Sequence, residues 1–107
     1  MGLRPCIVLL GIAAGIFSAS LAEAETIRIN IAKLTFAPVK VSAHVGDTIE
    51  WVNNDFVAHT ATSRTKDWDV ALPVKAIGHV TLTQPGNIEY YCRFHPNMIG
   101  QILVTAD

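Results

Sequence analysis

Cysteine is nearly missing: the 107 residues hold two, Cys6 and Cys92, and only Cys92 lies beyond the N-terminal stretch. An intrachain disulfide in the body of the protein is therefore excluded. Charge is sparse as well, with 8 Lys and Arg against 9 Asp and Glu, scattered and nearly balanced. No basic stripe exists, so nucleic-acid binding has no support. No acidic block exists either, so strong electrostatic steering toward one partner is not expected. Beyond the first two dozen residues there is no internal repeat, low-complexity tract or linker. No segment there carries a convincing helical period, which argues against a helical domain.

What is present begins with Arg4, an apolar run from Cys6 to Phe17, and the small-residue end Ala22-Glu23-Ala24. A positive start, a short apolar core and an A-x-A end read as a secretory signal peptide cut after Ala24. The run is shorter than the ~20 residues of a spanning helix, which favours cleavage over a membrane anchor. Cys6 opens the apolar core and is not at the cleavage site, which argues against lipid modification. The expectation is a signal peptide over 1–24 and one domain over 25–107. A domain that small buries only ~60% of its unfolded surface, and exported domains of this size usually add disulfides or a metal. With no disulfide available, Cys92 is a reactive thiol, an intermolecular bridge or a metal ligand.

Period-two alternation dominates the mature chain. Ile27, Ile29 and Ile31 alternate with Arg28 and Asn30, and Val39 and Val41 with Lys40 and Ser42. Ile49 and Trp51 flank Glu50; Val80 and Leu82 flank Thr81; Ile88, Tyr90 and Cys92 share one face; Ile102 and Val104 close the chain. Turn signals separate the runs at Ala37-Pro38, Gly46-Asp47, Asn53-Asn54-Asp55, Leu72-Pro73 and Gln84-Pro85-Gly86. Short alternating strands between polar turns predict an all-β sandwich or barrel. The segment from Ala58 to Val74 is the least regular, and reads as a strand carrying His59 followed by a loop excursion around Trp68 and Asp69.

Chemistry concentrates in Cys92-Arg93-Phe94-His95-Pro96-Asn97-Met98. The pattern C-x-x-H-x-x-M sets a thiol, an imidazole and a thioether, all ligands for a soft or borderline transition metal, at even spacing. Each residue also has a plain reading: a buried cysteine as a small hydrophobe, a methionine as a gap filler, a histidine as surface. Their joint spacing, in a chain expected to be exported, favours ligation. Pro96 fixes its own φ and biases His95 away from the helical region, which stiffens the loop. A fourth ligand has to come from elsewhere, and His59 is the best candidate. Two imidazoles and a thiolate in a plane with a weak axial thioether is the blue-copper arrangement. His44, near a turn, and His79, alternating outward from Val80 and Leu82, read as surface residues.

This segment resembles the C-terminal copper loop of the cupredoxins, above all the amicyanins, whose loop has the same short C-x-x-H-x-x-M spacing. Plastocyanins and pseudoazurins are similar with longer spacing between histidine and methionine. Phe36-Ala37-Pro38, Gly46-Asp47-Thr48, Trp51 and Asn53 resemble the family's early strands; Pro85-Gly86 and Glu89-Tyr90-Tyr91-Cys92 resemble its approach to the metal. Gly100-Gln101-Ile102-Leu103-Val104 resembles its last strand. The resemblance implies an eight-stranded Greek-key sandwich holding one copper ion, with His59 and His95 as equatorial nitrogens, Cys92 as the thiolate and Met98 as the axial sulfur. One departure stands out. Most relatives carry Asn directly after the first histidine, tying the two ligand segments together; here the residue is Thr60, whose hydroxyl offers a shorter tie toward Arg93.

The function expected is single-electron transfer by Cu(I)/Cu(II) cycling, not enzymatic catalysis, in a periplasmic monomer free of the membrane after signal cleavage. Redox partners are expected to dock weakly at an apolar patch of His95, Phe94 and Pro96, with Phe56 or Pro73 nearby. A copper-handling module, chaperone or buffer, is the alternative; such proteins favour exposed methionine and histidine clusters, and the mature part holds one methionine. A copper enzyme needs further histidine pairs, and His44 and His79 stand apart. Zinc has little use for a thioether.

Overall fold

The computed structural model describes residues 23–107. The expected signal peptide, apart from Glu23 and Ala24, lies outside the described residues. All regular structure described is strand: β1 Thr26–Ala32, β2 Thr35–Ala37, β3 Lys40–His44, β4 Thr48–Asn53, β5 His59–Ser63, β6 Asp69–Leu72, β7 Ile77–Thr81, β8 Gly86–Cys92 and β9 His95–Thr105. Among the described residues no helix is long and apolar enough to cross a membrane.

The alternation reads directly into burial, because successive strand residues point to opposite faces. Ile29 and Ile31 of β1, Ile49, Trp51 and Asn53 of β4, Tyr90 and Cys92 of β8, and Ile102 and Val104 of β9 all turn inward and are buried. They fill the space between a four-stranded sheet ordered β2-β1-β4-β7 and a five-stranded sheet ordered β3-β9-β8-β5-β6. Both sheets are mixed, since β1 runs parallel to β4 and β3 parallel to β9 while the other pairs are antiparallel. The connections β2–β3, β3–β4, β4–β5, β6–β7 and β7–β8 pass from one sheet to the other. The all-β, two-sheet expectation is borne out.

Two details differ from expectation. Among the described residues the strands number nine, not the eight that the resemblance implies. The strand carrying His59 is present as β5 and Trp68 lies in the loop after it, but Asp69 opens β6, which folds back to pair with β5 from His59↔Leu72 to Thr62↔Asp69. Strand β6 is only Asp-Val-Ala-Leu, too short for alternation to show, and its place depends on pairing rather than pattern.

The core is centred on aromatics. The Tyr90 ring lies 4.7 Å from Phe36 and 5.4 Å from Trp51, centroid to centroid. Trp51 Nε1 donates to the Tyr90 hydroxyl at 3.2 Å, giving the buried oxygen a partner; burial pushes that hydroxyl's pKa up. Opposite Tyr90 sits Gly100, where a Cβ would fall 2.3 Å from the Tyr90 ring. Glycine is thus required there by close approach, and the packing holds β9 flat against β8 next to the C-x-x-H-x-x-M segment.

Candidate metal centre

The spacing of the ligand segment has a specific backbone cause. Strand β8 ends at Cys92 and β9 begins at His95, so Arg93-Phe94 is a two-residue hairpin turn that makes Cys92 and His95 cross-strand partners. One step back along β8, Tyr91 already pairs with Ile99. Pro96, Asn97 and Met98 are therefore extra residues on β9, a bulge that re-aims side chains at the strand end. Proline, lacking an N–H, suits such a position. The bulge returns Met98 to the interior, where it is buried in the core cluster.

The second segment arrives along β5, beside β8 in the same sheet. Its first residue, His59, has a fully buried side chain. Cys92 Sγ lies 3.7 Å from His59 Nδ1 and 3.7 Å from His95 Nδ1. The three ligating atoms fall within 4.8 Å of one another. Separations of 3.7 Å are short enough for one first-row ion to reach the sulfur and either nitrogen at about 2.0–2.3 Å. Among the described residues this is the cluster with metal-ligand geometry, and the expected His59, Cys92 and His95 are the residues in it. Met98 lines the same end, in a surface cavity shared with Leu34, Phe94, His95, Pro96 and Asn97.

A family model described as a cupredoxin-like domain matches residues 5–104. The chain belongs to the cupredoxin-like family. It is 29% identical over 110 residues to plastocyanin from Synechococcus sp. (strain JA-2-3B'a(2-13)), covering 84% of this chain and 81% of that one. It is 27% identical to amicyanin from Paracoccus denitrificans, over 82% of this chain and 72% of that one. A solved structure of an amicyanin variant in its reduced Cu(I) form superposes with a TM-score of 0.65 at 26% identity, covering 80% and 87% of the two chains.

In this cupredoxin, neighbouring residues orient the candidate ligand cluster. Asp55 Oδ2 lies 2.9 Å from His59 Nε2. An ionised carboxylate there accepts the Nε2 proton, which leaves Nδ1 bare and facing the sulfur. The backbone N–H groups of Leu34 and Phe56 also donate to Asp55, at 2.8 and 3.1 Å. With the Leu34 N–H the largest influence and His59 the next, the Asp55 carboxyl is held down to about 2. Asn53 builds the loop beneath: its buried Nδ2 donates to the carbonyls of Val57, Leu72 and Pro73, and its Oδ1 accepts the Asp55 N–H. Along the chain Asn53-Asn54-Asp55 reads as a turn signal, which hides the orienting role. A carboxylate four residues before the candidate histidine is the available clue.

Thr60 behaves as its hydroxyl suggested. The Thr60 N–H donates to Cys92 Sγ at 3.4 Å, and Thr60 Oγ1 accepts the Arg93 N–H at 2.9 Å. Asp69, at the start of β6, takes the Thr62 hydroxyl and the Arg93 guanidinium, at 2.6 and 3.1 Å. Those two donors, Thr62 first, lower its pKa.

Around the centre the surface is apolar. Phe56 is 94% exposed and Phe94 55%, and Leu34, Val57 and Val74 are also open. His44 and His79 lie elsewhere, as surface partners of Asp47 and Glu50.

Proposed function

We propose that this chain is an exported electron carrier that holds one copper ion on His59, Cys92, His95 and Met98. Partner proteins would dock on the rim of Phe94, His95 and Pro96. The observation that carries the reading is the buried Cys92 sulfur equidistant from two imidazole nitrogens. Copper bound there supplies reversible one-electron exchange between Cu(I) and Cu(II).

The donor set selects the metal. A thiolate, two imidazoles and a thioether offer the soft ligands that copper favours and that zinc uses only in part. The solved amicyanin relative in its Cu(I) form supports the same choice. The chain's own contribution is to hold the donors still. His59 is fixed from behind by Asp55, Cys92 receives the Thr60 N–H, and His95 is tied to Cys92 by the two-residue turn. Burial of Cys92 and His59 excludes water from the sulfur and from one ring. His95 is only half-buried, so its ring is the open edge of the centre, and an apolar surface around it suits weak, quickly released partners. Such a site favours a carrier over an enzyme, because His44 and His79 lie on strands of different sheets, each beside a carboxylate of its own, and do not form a pair for a substrate-binding copper. Signal cleavage after Ala24 and a periplasmic, monomeric product complete the proposal.

The test is Cu(II) addition to the purified protein with visible and EPR spectra. Wild type should develop an intense thiolate-to-copper band, and Cys92→Ser should lose it. A colourless wild type or a coloured Cys92→Ser protein overturns the assignment. Rapid electron exchange together with slow copper loss to a chelator supports a carrier; fast copper loss with slow electron exchange favours a copper-handling module.

A further inference from the structure

The tie between the two ligand segments does not stop at Thr60. The Arg93 N–H donates to Thr60 Oγ1 at 2.9 Å, and Thr60 Oγ1 lies 2.9 Å from Thr62 Oγ1. Thr62 Oγ1 in turn donates to Asp69 Oδ1 at 2.6 Å, and the same oxygen accepts Arg93 Nε at 3.1 Å. The ring is closed: it leaves Arg93 by its backbone and returns by its side chain. Its direction is fixed as well. Each hydroxyl has one proton to give. Thr62 gives its proton to the carboxylate, so it can only accept from Thr60, and Thr60 accepts from Arg93. Every proton points toward Asp69. Chains of this kind polarise one another and strengthen together.

We propose that Thr62 and Asp69 are positioning residues of the metal centre, acting through Thr60 and Arg93 to hold the Cys92–His95 turn at a set distance from the His59 strand. The proposal rests on the copper reading above and extends it to two residues that touch no ligand. Three features support it. Thr60 and Thr62 are buried, so a hydroxyl there without a partner is costly. Thr60 supplies both the N–H to Cys92 Sγ and the hydroxyl to Arg93, so its placement governs the sulfur's donor. Arg93 occupies an exposed two-residue turn, and its backbone N–H is held by the Thr60 hydroxyl.

The test compares Thr62→Val, Thr62→Ser and Asp69→Asn with wild type, using two readouts. In copper-free protein, amide hydrogen exchange of Arg93 should be slow in wild type and Thr62→Ser. It should be about tenfold faster or more in Thr62→Val and Asp69→Asn, while Tyr90 and Ile102 amides change little. In copper-loaded protein, the same two variants should yield Cu(I) to an excess of chelator about 10- to 100-fold faster, the usual scale for outer partners of metal ligands. Thr62→Ser should match wild type. Asp69→Asn lies on the surface and keeps the test alive if Thr62→Val does not fold. Unchanged Arg93 exchange in Thr62→Val or, should that variant not fold, in Asp69→Asn overturns the proposal. So does a chelation rate that does not follow the exchange rate across the series. A wild type that forms no thiolate–copper band defeats the copper reading separately, since the exchange measurement needs no metal.

Discussion

Strand β4 has a histidine–aspartate pair at each end, and only one belongs to the candidate centre. Before the strand, Asp47 takes the backbone N–H groups of Glu25 and His44 at 2.9 and 2.8 Å, and the His44 ring stands 3.6 Å away with 61% of its side chain exposed. After the strand, Asp55 takes the N–H groups of Leu34 and Phe56, and also His59 Nε2, whose ring is fully buried. The device is the same, a carboxylate that gathers turn amides. The outcome differs because the His59 ring is clamped from behind and meets a thiol and a second imidazole in front, whereas His44 meets solvent. What sets the candidate histidine apart is what converges on its two nitrogens.

The comparison breaks most visibly at the rings. His59→Ala should lower copper affinity by more than about 100-fold, more than loss of an outer partner costs, and His44→Ala should leave it unchanged; competitive titration against a chelator checks both. Equal effects would remove the distinction between the two ends. The carboxylates come next. Asp55→Asn should keep the thiolate–copper colour, weaken Cu(II) binding by about 10-fold, at the low end of the range for outer-shell partners, and raise the reduction potential, because a neutral acceptor supports the imidazole less. Asp47→Asn should leave the potential where it is and cost about 1 kcal/mol of stability through weakened backbone acceptors, read by denaturant melting and voltammetry on the same samples.

The smallest effect is shared by both ends. Asp47, held by the Glu25 and His44 amides, and Asp55 both titrate below the ordinary carboxylate value of 3.8. A carboxyl whose folded pKa is depressed adds stability that is complete above its unfolded pKa and is lost as pH falls through the folded one. Copper-free protein should therefore keep a level melting temperature down to about pH 4 and lose stability progressively toward about pH 2. Asp47→Asn should flatten part of that acid limb. A limb that Asp47→Asn leaves as steep as wild type's would show that Asp47 is not among the groups responsible.

Most of the β-strands were legible because burial follows the two-residue period of the alternation, as in Ile27-Arg28-Ile29 and Ile102-Leu103-Val104. Strand β6 was not, because four residues between Trp68 and Pro73 carry no pattern longer than their own noise. The C-x-x-H-x-x-M spacing marked the donor segment. It did not reveal that the first interval is a hairpin turn and the second a bulge, since both conformations depend on Tyr91 pairing with Ile99. Asp55, Thr62 and Asp69 look like ordinary turn and strand residues along the chain. Their roles exist only where separate strands meet.

The residues by themselves determined an all-β fold, a single cysteine beyond residue 24, and a local set of soft donors, because periodicity, composition and short spacing are properties of adjacent positions. Tertiary structure alone decided that residue 59 faces residue 92 and that a ring of hydroxyls joins two strands to one turn. The contact of Arg93 with Asp69 spans 24 residues, and those of Arg93 with Thr60 and of Cys92 with His59 span 33 each. Over such separations chain closure is set by the packing of whole sheets, and no local pattern encodes it.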